Sequence, residues 1–190
     1  MSVTSRLTKL TTKPATPEHQ EEYDKQTGEK ADDRSLCLLL ACQLENTLER
    51  AIDFGIGEQT ADMRKAMYDH DGPLGTFSRK ITLAAAMTLL GPVSHENLRL
   101  MRHIRNAFAH AKVPITFDTE EVSDACAELV RFNIFNPPED VDQKPDMSPR
   151  ARYTTVCHET MIRLSRYTGH DPKFKTDDGT EKTIIGGELP

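Results

Sequence analysis

The chain has 190 residues, 24 bases against 30 acids, a formal net charge of −6, and 37% apolar and 28% charged residues. That length holds one domain with its own core and excludes two large ones. The acidic balance argues against a protein whose whole surface binds nucleic acid, because such surfaces are normally basic.

Trp is absent, and 4 Tyr and 7 Phe are the only aromatics, so aliphatic packing must dominate the core. The four cysteines, Cys37, Cys42, Cys126 and Cys157, form no C-x-x-C pair and read as neither a zinc site nor a disulfide framework. All four fall in apolar helical patterns, where a thiol behaves as a small hydrophobe. A reducing cytoplasm is the expected compartment. No apolar run approaches 18 residues and the N-terminus has no apolar core, so neither a membrane span nor a signal peptide is expected. No motif calls for a cofactor or a metal.

Residues 1–31 are rich in Thr, Lys and Glu and poor in branched aliphatics, a composition that predicts a flexible arm. The arm is basic before residue 14 and acidic after it. A helical domain is expected over 32–168, and a second flexible tail over 169–190. The first helix is predicted from about Asp33 to Asp53, capped by Asp32 or Asp33, with Leu36, Leu40, Leu44 and Leu48 at helical spacing. Gly55 and Gly57 end it. A short helix follows over Thr60–Tyr68, then a turn, Asp71-Gly72-Pro73-Leu74-Gly75. The next helix is expected from Thr76 to Leu90, apolar nearly all round and therefore central, stopped by Gly91-Pro92. Ser94 is expected to cap a helix over His95–Ala111 whose apolar stripe is Leu98, Met101, Ile104, Phe108 and Ala111. Thr119 opens a helix to about Phe132 that buries Val122, Ala125, Cys126, Leu129 and Val130. Asn136 to Pro145 reads as a loop. Ser148-Pro149 then starts the last helix, to Tyr167, with Tyr153, Val156, Cys157, Met161 and Leu164 inward. No segment alternates with period two, so the expected architecture is an all-α bundle.

The segment Leu98–Lys112 holds Arg99, Arg102, Arg105 and Lys112 with His103 and His110, and contains no acid. The three arginines recur every third residue and line up along one side of the helix. One reading is a solvated face paired with Glu45, Glu49, Glu120 or Glu121. The other is a phosphate-contacting surface carried by Arg99 and Arg102. Within the segment lies Arg105-Asn106-Ala107-Phe108-Ala109-His110. Five residues turn a regular helix by about 140°, so Arg105 and His110 converge only if the helix distorts or a second protomer completes the site.

Arg105-Asn106-x-x-x-His110 resembles the Arg-x(4–6)-His motif of HEPN domains, small helical bundles. A broader similarity is to the mannitol operon repressor family. Asp71-Gly72-Pro73-Leu74-Gly75-Thr76-Phe77-Ser78-Arg79-Lys80-Ile81 and the run Leu100–His110 carry it, with Leu44-Glu45-Asn46-Thr47-Leu48-Glu49 in support. This second resemblance implies a helical transcriptional regulator, a homodimer, acting on a protein partner of a transcription complex. No helix-turn-helix is visible that would make DNA its direct partner. The HEPN resemblance implies a different function, a metal-independent endoribonuclease acting on RNA. His110 would then move the 2′-hydroxyl or leaving-group proton, Arg105 would stabilise the phosphate, and Asn106 would orient it, leaving a 2′,3′-cyclic phosphate.

The stretch Gly72–Phe77 has its own physics. Gly72 and Gly75 permit positive φ, Pro73 stiffens the chain between them, and Thr76 or Ser78 caps the helix that follows. It reads either as a tight entry turn or as an anion site at Gly75, Thr76 and Ser78, helped by Arg79 and Lys80. His70 beside Asp69 and Asp71 reads as a solvated loop. Cys157-His158 sends its two side chains about 100° apart.

Overall fold

The computed structural model describes residues 17, 31–132 and 147–167. Six α-helices and no strand occur among them: α1 Asp33–Ile56, α2 Ala61–Tyr68, α3 Phe77–Ala86, α4 Pro92–His110, α5 Glu120–Ala127 and α6 Pro149–Tyr167. The expected tail 169–190, the loop 136–145 and, apart from residues 17 and 31, the expected arm 1–31 lie outside the described residues.

α1 is the central post, with α6, α4 and α3 packed around it and α5 closing the side between α4 and α6. Its Leu36, Leu40, Leu44, Leu48 and Ile52 are all buried, as a 3.6-residue apolar stripe requires. Asp32 caps it, accepting from Ser35 N at 3.0 Å, and that bond holds the Asp32 carboxyl below its usual range. α6 runs alongside α1 in the same direction. Arg150 at its start bonds Asp33 at the start of α1, and Tyr153 donates to Cys37 O at 3.4 Å. α4 runs the opposite way, so Arg34 at the head of α1 reaches Ala111 O just past its C-terminus.

The predicted caps Thr76 and Ser148 each accept from a backbone N–H of the first turn, and Thr60, expected as the first residue of its helix, caps it in the same way. Several expectations need correction. α1 continues through Gly55 to Ile56 and stops at Gly57, where φ is 88°. α3 ends at Ala86, not at Leu90. There Leu89 N donates to Ala84 O (2.9 Å) and Thr88 N to Ala85 O (3.0 Å), with Thr88 at φ 58°. This is a Schellman-type stop, and it turns Leu89 and Leu90 into the core. A β-branched residue in the left-handed region is uncommon, so tertiary packing overrides the local preference here. α4 begins at Pro92 with Gly91 as N-cap. Ser94 is therefore inside the first turn, buried, and caps nothing. α5 stops at Ala127. Leu129 stays buried beyond it, while Val130 is half exposed and not part of the buried face. Thr119 precedes α5 without a side-chain cap, because its hydroxyl accepts from Thr116 N at 2.9 Å instead.

The connector after α4 contributes a core residue that periodicity did not reveal. Phe117 lies between Phe108 and Tyr153, with ring centroids 5.0 and 5.2 Å away. Asp33 holds it there by accepting from Phe117 N at 2.9 Å. Cys37, Cys126 and Cys157 are buried as expected, but Cys42 is exposed, because it sits off the stripe that faces the core. No described helix is long and apolar enough to cross a membrane.

Candidate functional site

The acid-free segment Leu98–Lys112 covers most of α4 and runs two residues past its end, and its charges are arranged locally. Arg99 is exposed and pairs with Glu96 one turn back at 2.9 Å. Arg102 Nη2 lies 2.9 Å from His103 Nε2. A guanidinium only donates, so in this contact His103 Nε2 is the acceptor. Arg105 donates to its neighbour Asn106 Oδ1 at 3.0 Å. The helix is regular through His110, which is exposed in the last turn. Arg105 and Asn106 are thus brought together, whereas His110 lies about 140° further round the same helix. Across from this stripe is α1. The exposed Cys42 thiol is pushed up by desolvation, with the Arg105 charge opposing the shift.

The expected pairing of these arginines with Glu45, Glu49, Glu120 or Glu121 does not form. Glu45 and Glu49 are committed to Lys80 of α3, whose Nζ sits 2.9 Å from each. Arg64 of α2 binds Asp53 through Nε at 3.0 Å and also reaches Glu49. Tyr68 donates to Asp53 at 2.8 Å, with the Arg64 and Lys80 cations 4.9 and 5.5 Å from its ring centroid. Lys80 is only 8% exposed. Burial disfavours its ammonium, yet the two carboxylates outweigh that and hold its pKa above the usual lysine value. Burial and then Asp53 push the Tyr68 phenol upward. The sequence signal for this network was present: Glu45, Glu49 and Asp53 recur every fourth residue of α1, a like-charge row that mildly disfavours the helix unless cations offset it. It went unread because the cations come from other elements.

This network is what holds α2, which has no buried residue of its own. Backbone contacts reinforce it. Leu74 N donates to Met67 O at 2.8 Å. A Cβ on Gly72 would sit 2.4 Å from Ala66 O, and one on Gly75 2.4 Å from Asp69 O. Neither glycine has positive φ, so the expectation of left-handed backbone is corrected. They are required because the loop passes directly over the end of α2.

Of the anion-site candidates, Thr76 caps α3 and Ser78 is exposed in its first turn. The two cations expected to assist them point elsewhere. Lys80 is in the carboxylate network, and Arg79 Nη1 donates to Gly72 O at 3.0 Å, strapping the loop. Beside them lies a shallow groove of ≈ 500 Å³, lined by Met67, Pro73, Leu74, Arg79, Thr82 and Leu83 among others. Its floor is apolar and its rim carries hydroxyls and one guanidinium.

Two further polar clamps escaped the sequence reading. Buried Asn97 of α4 bonds both backbone groups of Val130, donating at 2.7 Å and accepting at 3.0 Å, and so fixes the chain after α5. Buried Glu159 of α6 accepts from Arg131 at 2.8 Å and from Phe132 N at 3.1 Å. Cys157 is buried with its thiol 3.8 Å from Met101 Sδ, while His158 is exposed, so the two side chains diverge as helical geometry dictates.

No family model matches the chain, and no curated protein matches its sequence. Among solved structures, a chain of the X-ray structure of the MtlR–HPr complex from Escherichia coli is similar in fold. The two are 18% identical with a TM-score of 0.50, over 79% of this chain and 96% of that one. The likeness shows a shared helical fold, the architecture that the mannitol-repressor resemblance implied.

Proposed function

We propose that this chain is a mannitol-repressor-like transcriptional regulator that works as a homodimer in the cytoplasm through protein contacts. The observation that carries the reading is the fold it shares, over 79% of its length, with a chain solved in complex with another protein. The surface is compatible with such a role. The groove beside α3 is apolar at its floor, and Phe54, Ile56 and Met63 are exposed at the end of α1 and on α2. An apolar floor with a polar rim is the usual make-up of a protein contact.

The ribonuclease reading asks for Arg105 and His110 to act on one phosphate. Within one chain, helical geometry separates them, so that reading depends on a partner protomer.

Calorimetric titration of the purified chain with HPr tests the proposal. Saturable micromolar binding, weakened at least tenfold by Leu83→Asp, is the expected result. No complex, together with RNA cleavage in EDTA that disappears in His110→Ala, would overturn it.

A further inference from the structure

The basic stripe of α4 has no acidic partner on any other described helix. Among the described residues, Arg102 and Arg105 form no ion pair, and Arg99 pairs only with exposed Glu96 of its own helix. The segment that follows has the opposite character. Residues 114–130 hold Asp118, Glu120, Glu121, Asp124 and Glu128 with no Lys, Arg or His. All five acids are exposed, and among the described residues none is in an ion pair. Glu120, Asp124 and Glu128 recur every fourth residue along α5 and its C-cap, so they form one row. That row is ~12 Å long and the row Arg99–Arg105 is ~9 Å, so the two match in length as well as in number of charges.

α4 and α5 are antiparallel neighbours. A short connector joins the end of α4 to the start of α5, and Asn97, near the start of α4, holds Val130 beyond the end of α5. The two rows therefore sit on adjacent helices and stay unpaired within the chain. A surface with a positive half and a negative half is complementary to a copy of itself turned through 180°, because the turn lays each half on its opposite. Val113 and Val130, just past the ends of α4 and α5, are 64% and 50% exposed and add apolar area to this surface.

We propose that this surface is the interface between two copies of the chain. Arg99, Arg102 and Arg105 of one copy meet Glu120, Asp124 and Glu128 of the other, and the two-fold axis repeats the contact with the roles exchanged. This rests on the homodimer in the function proposed above and names its interface. Isolated ion pairs at a surface contribute little, but rows that meet twice form a network. Their attraction is screened by salt, so the dimer weakens as ionic strength rises.

Sedimentation equilibrium of the full chain tests this with two charge-reversed variants, Arg99→Glu/Arg102→Glu/Arg105→Glu and Glu120→Lys/Asp124→Lys/Glu128→Lys. The parent chain should be a dimer whose dissociation constant rises about tenfold or more in about 0.5 M NaCl. Each variant alone puts like charges face to face in both halves of the contact, so it should be monomeric where the parent is dimeric. Mixing the two variants in equal amounts restores opposite charges in both halves, and a heterodimer should form. A parent dimer that is indifferent to salt, or that both variants leave intact, would overturn this interface and leave the homodimer standing. So would variants that stay monomeric when mixed. If the dimer survives in both variants and heparin binds the parent but not the arginine variant, the basic row serves a polyanion and the proposal falls. A parent that is monomeric at about 0.1 mM would overturn the homodimer as well.

Discussion

Two rows of like charge run along this bundle, and the fold treats them in opposite ways. The acids of α1, Glu45, Glu49 and Asp53, are covered from two other elements by Lys80, Arg64 and Tyr68. The bases of α4 are paired within their own helix or not at all. The first row is part of how the chain folds, because it docks a helix that buries nothing. The second makes no demand on the fold and is left for something that is not a neighbouring helix. A charge run read from sequence says nothing about which of these it is. Burial of the counter-charge decides.

The largest effect that would break this contrast is expected at Lys80. Lys80→Met leaves Glu45 and Glu49 facing each other with no cation between them. It should cost about 2–3 kcal/mol in urea unfolding, near the low end for a broken buried pair because both carboxylates retain some solvent. Gly75→Ala and Gly72→Ala test the loop that the network positions. Each pushes a methyl onto a backbone carbonyl that cannot retreat, and each should cost about 1–3 kcal/mol, read by the same titration.

The pH dependence sharpens the contrast. Lys80 is held above its ordinary value, so its contribution is complete below pH 10.5 and is lost as pH rises through the folded value. Tyr68, also raised, acts in the same direction from its ordinary 10.0 upward. Burial raises Cys37 and Cys126 to about 12 from 9.0, so their contribution begins to fall above pH 9. The Tm should therefore fall steadily from about pH 9, and Lys80→Met should flatten the upper part of that curve. A Tm that is constant to pH 11 would contradict the assignment. A smaller effect concerns thiol access. Of the four cysteines, Cys42 alone is exposed, and its thiol is the only one that should react with a disulfide reagent in the native state. Rapid reaction of a second thiol would show that the core beside α4 opens.

Most of the fold was legible because it rests on periodicity. The stripes of α1, α4 and α6 and the caps at Asp32, Thr76 and Ser148 needed only local pattern. Two of the misread positions depend on contacts distant in sequence. Val130 looks like a core residue of α5 until Asn97, 33 positions earlier, takes its backbone. Phe117 looks like a loop residue until Phe108 and Tyr153 enclose it. The stop of α3 places Thr88 at positive φ against its local preference, whereas the start of α4 follows a local rule, Pro92 at the first helical position after Gly91. At the candidate site, the sequence showed the basic stripe and the Arg105–His110 spacing. It did not show that Glu45 and Glu49 were already taken, because Lys80 lies 31 residues beyond the nearer of them.

The contrast between the two charged rows requires that the basic stripe be free of structural duty. Urea unfolding of the triple variant Arg99→Gln/Arg102→Gln/Arg105→Gln tests it directly. The expected result is a free energy of unfolding within about 0.5 kcal/mol of the parent chain, as for surface substitutions generally. A loss of about 2 kcal/mol or more would show that these arginines hold the bundle together, and would contradict the division between the two charged rows.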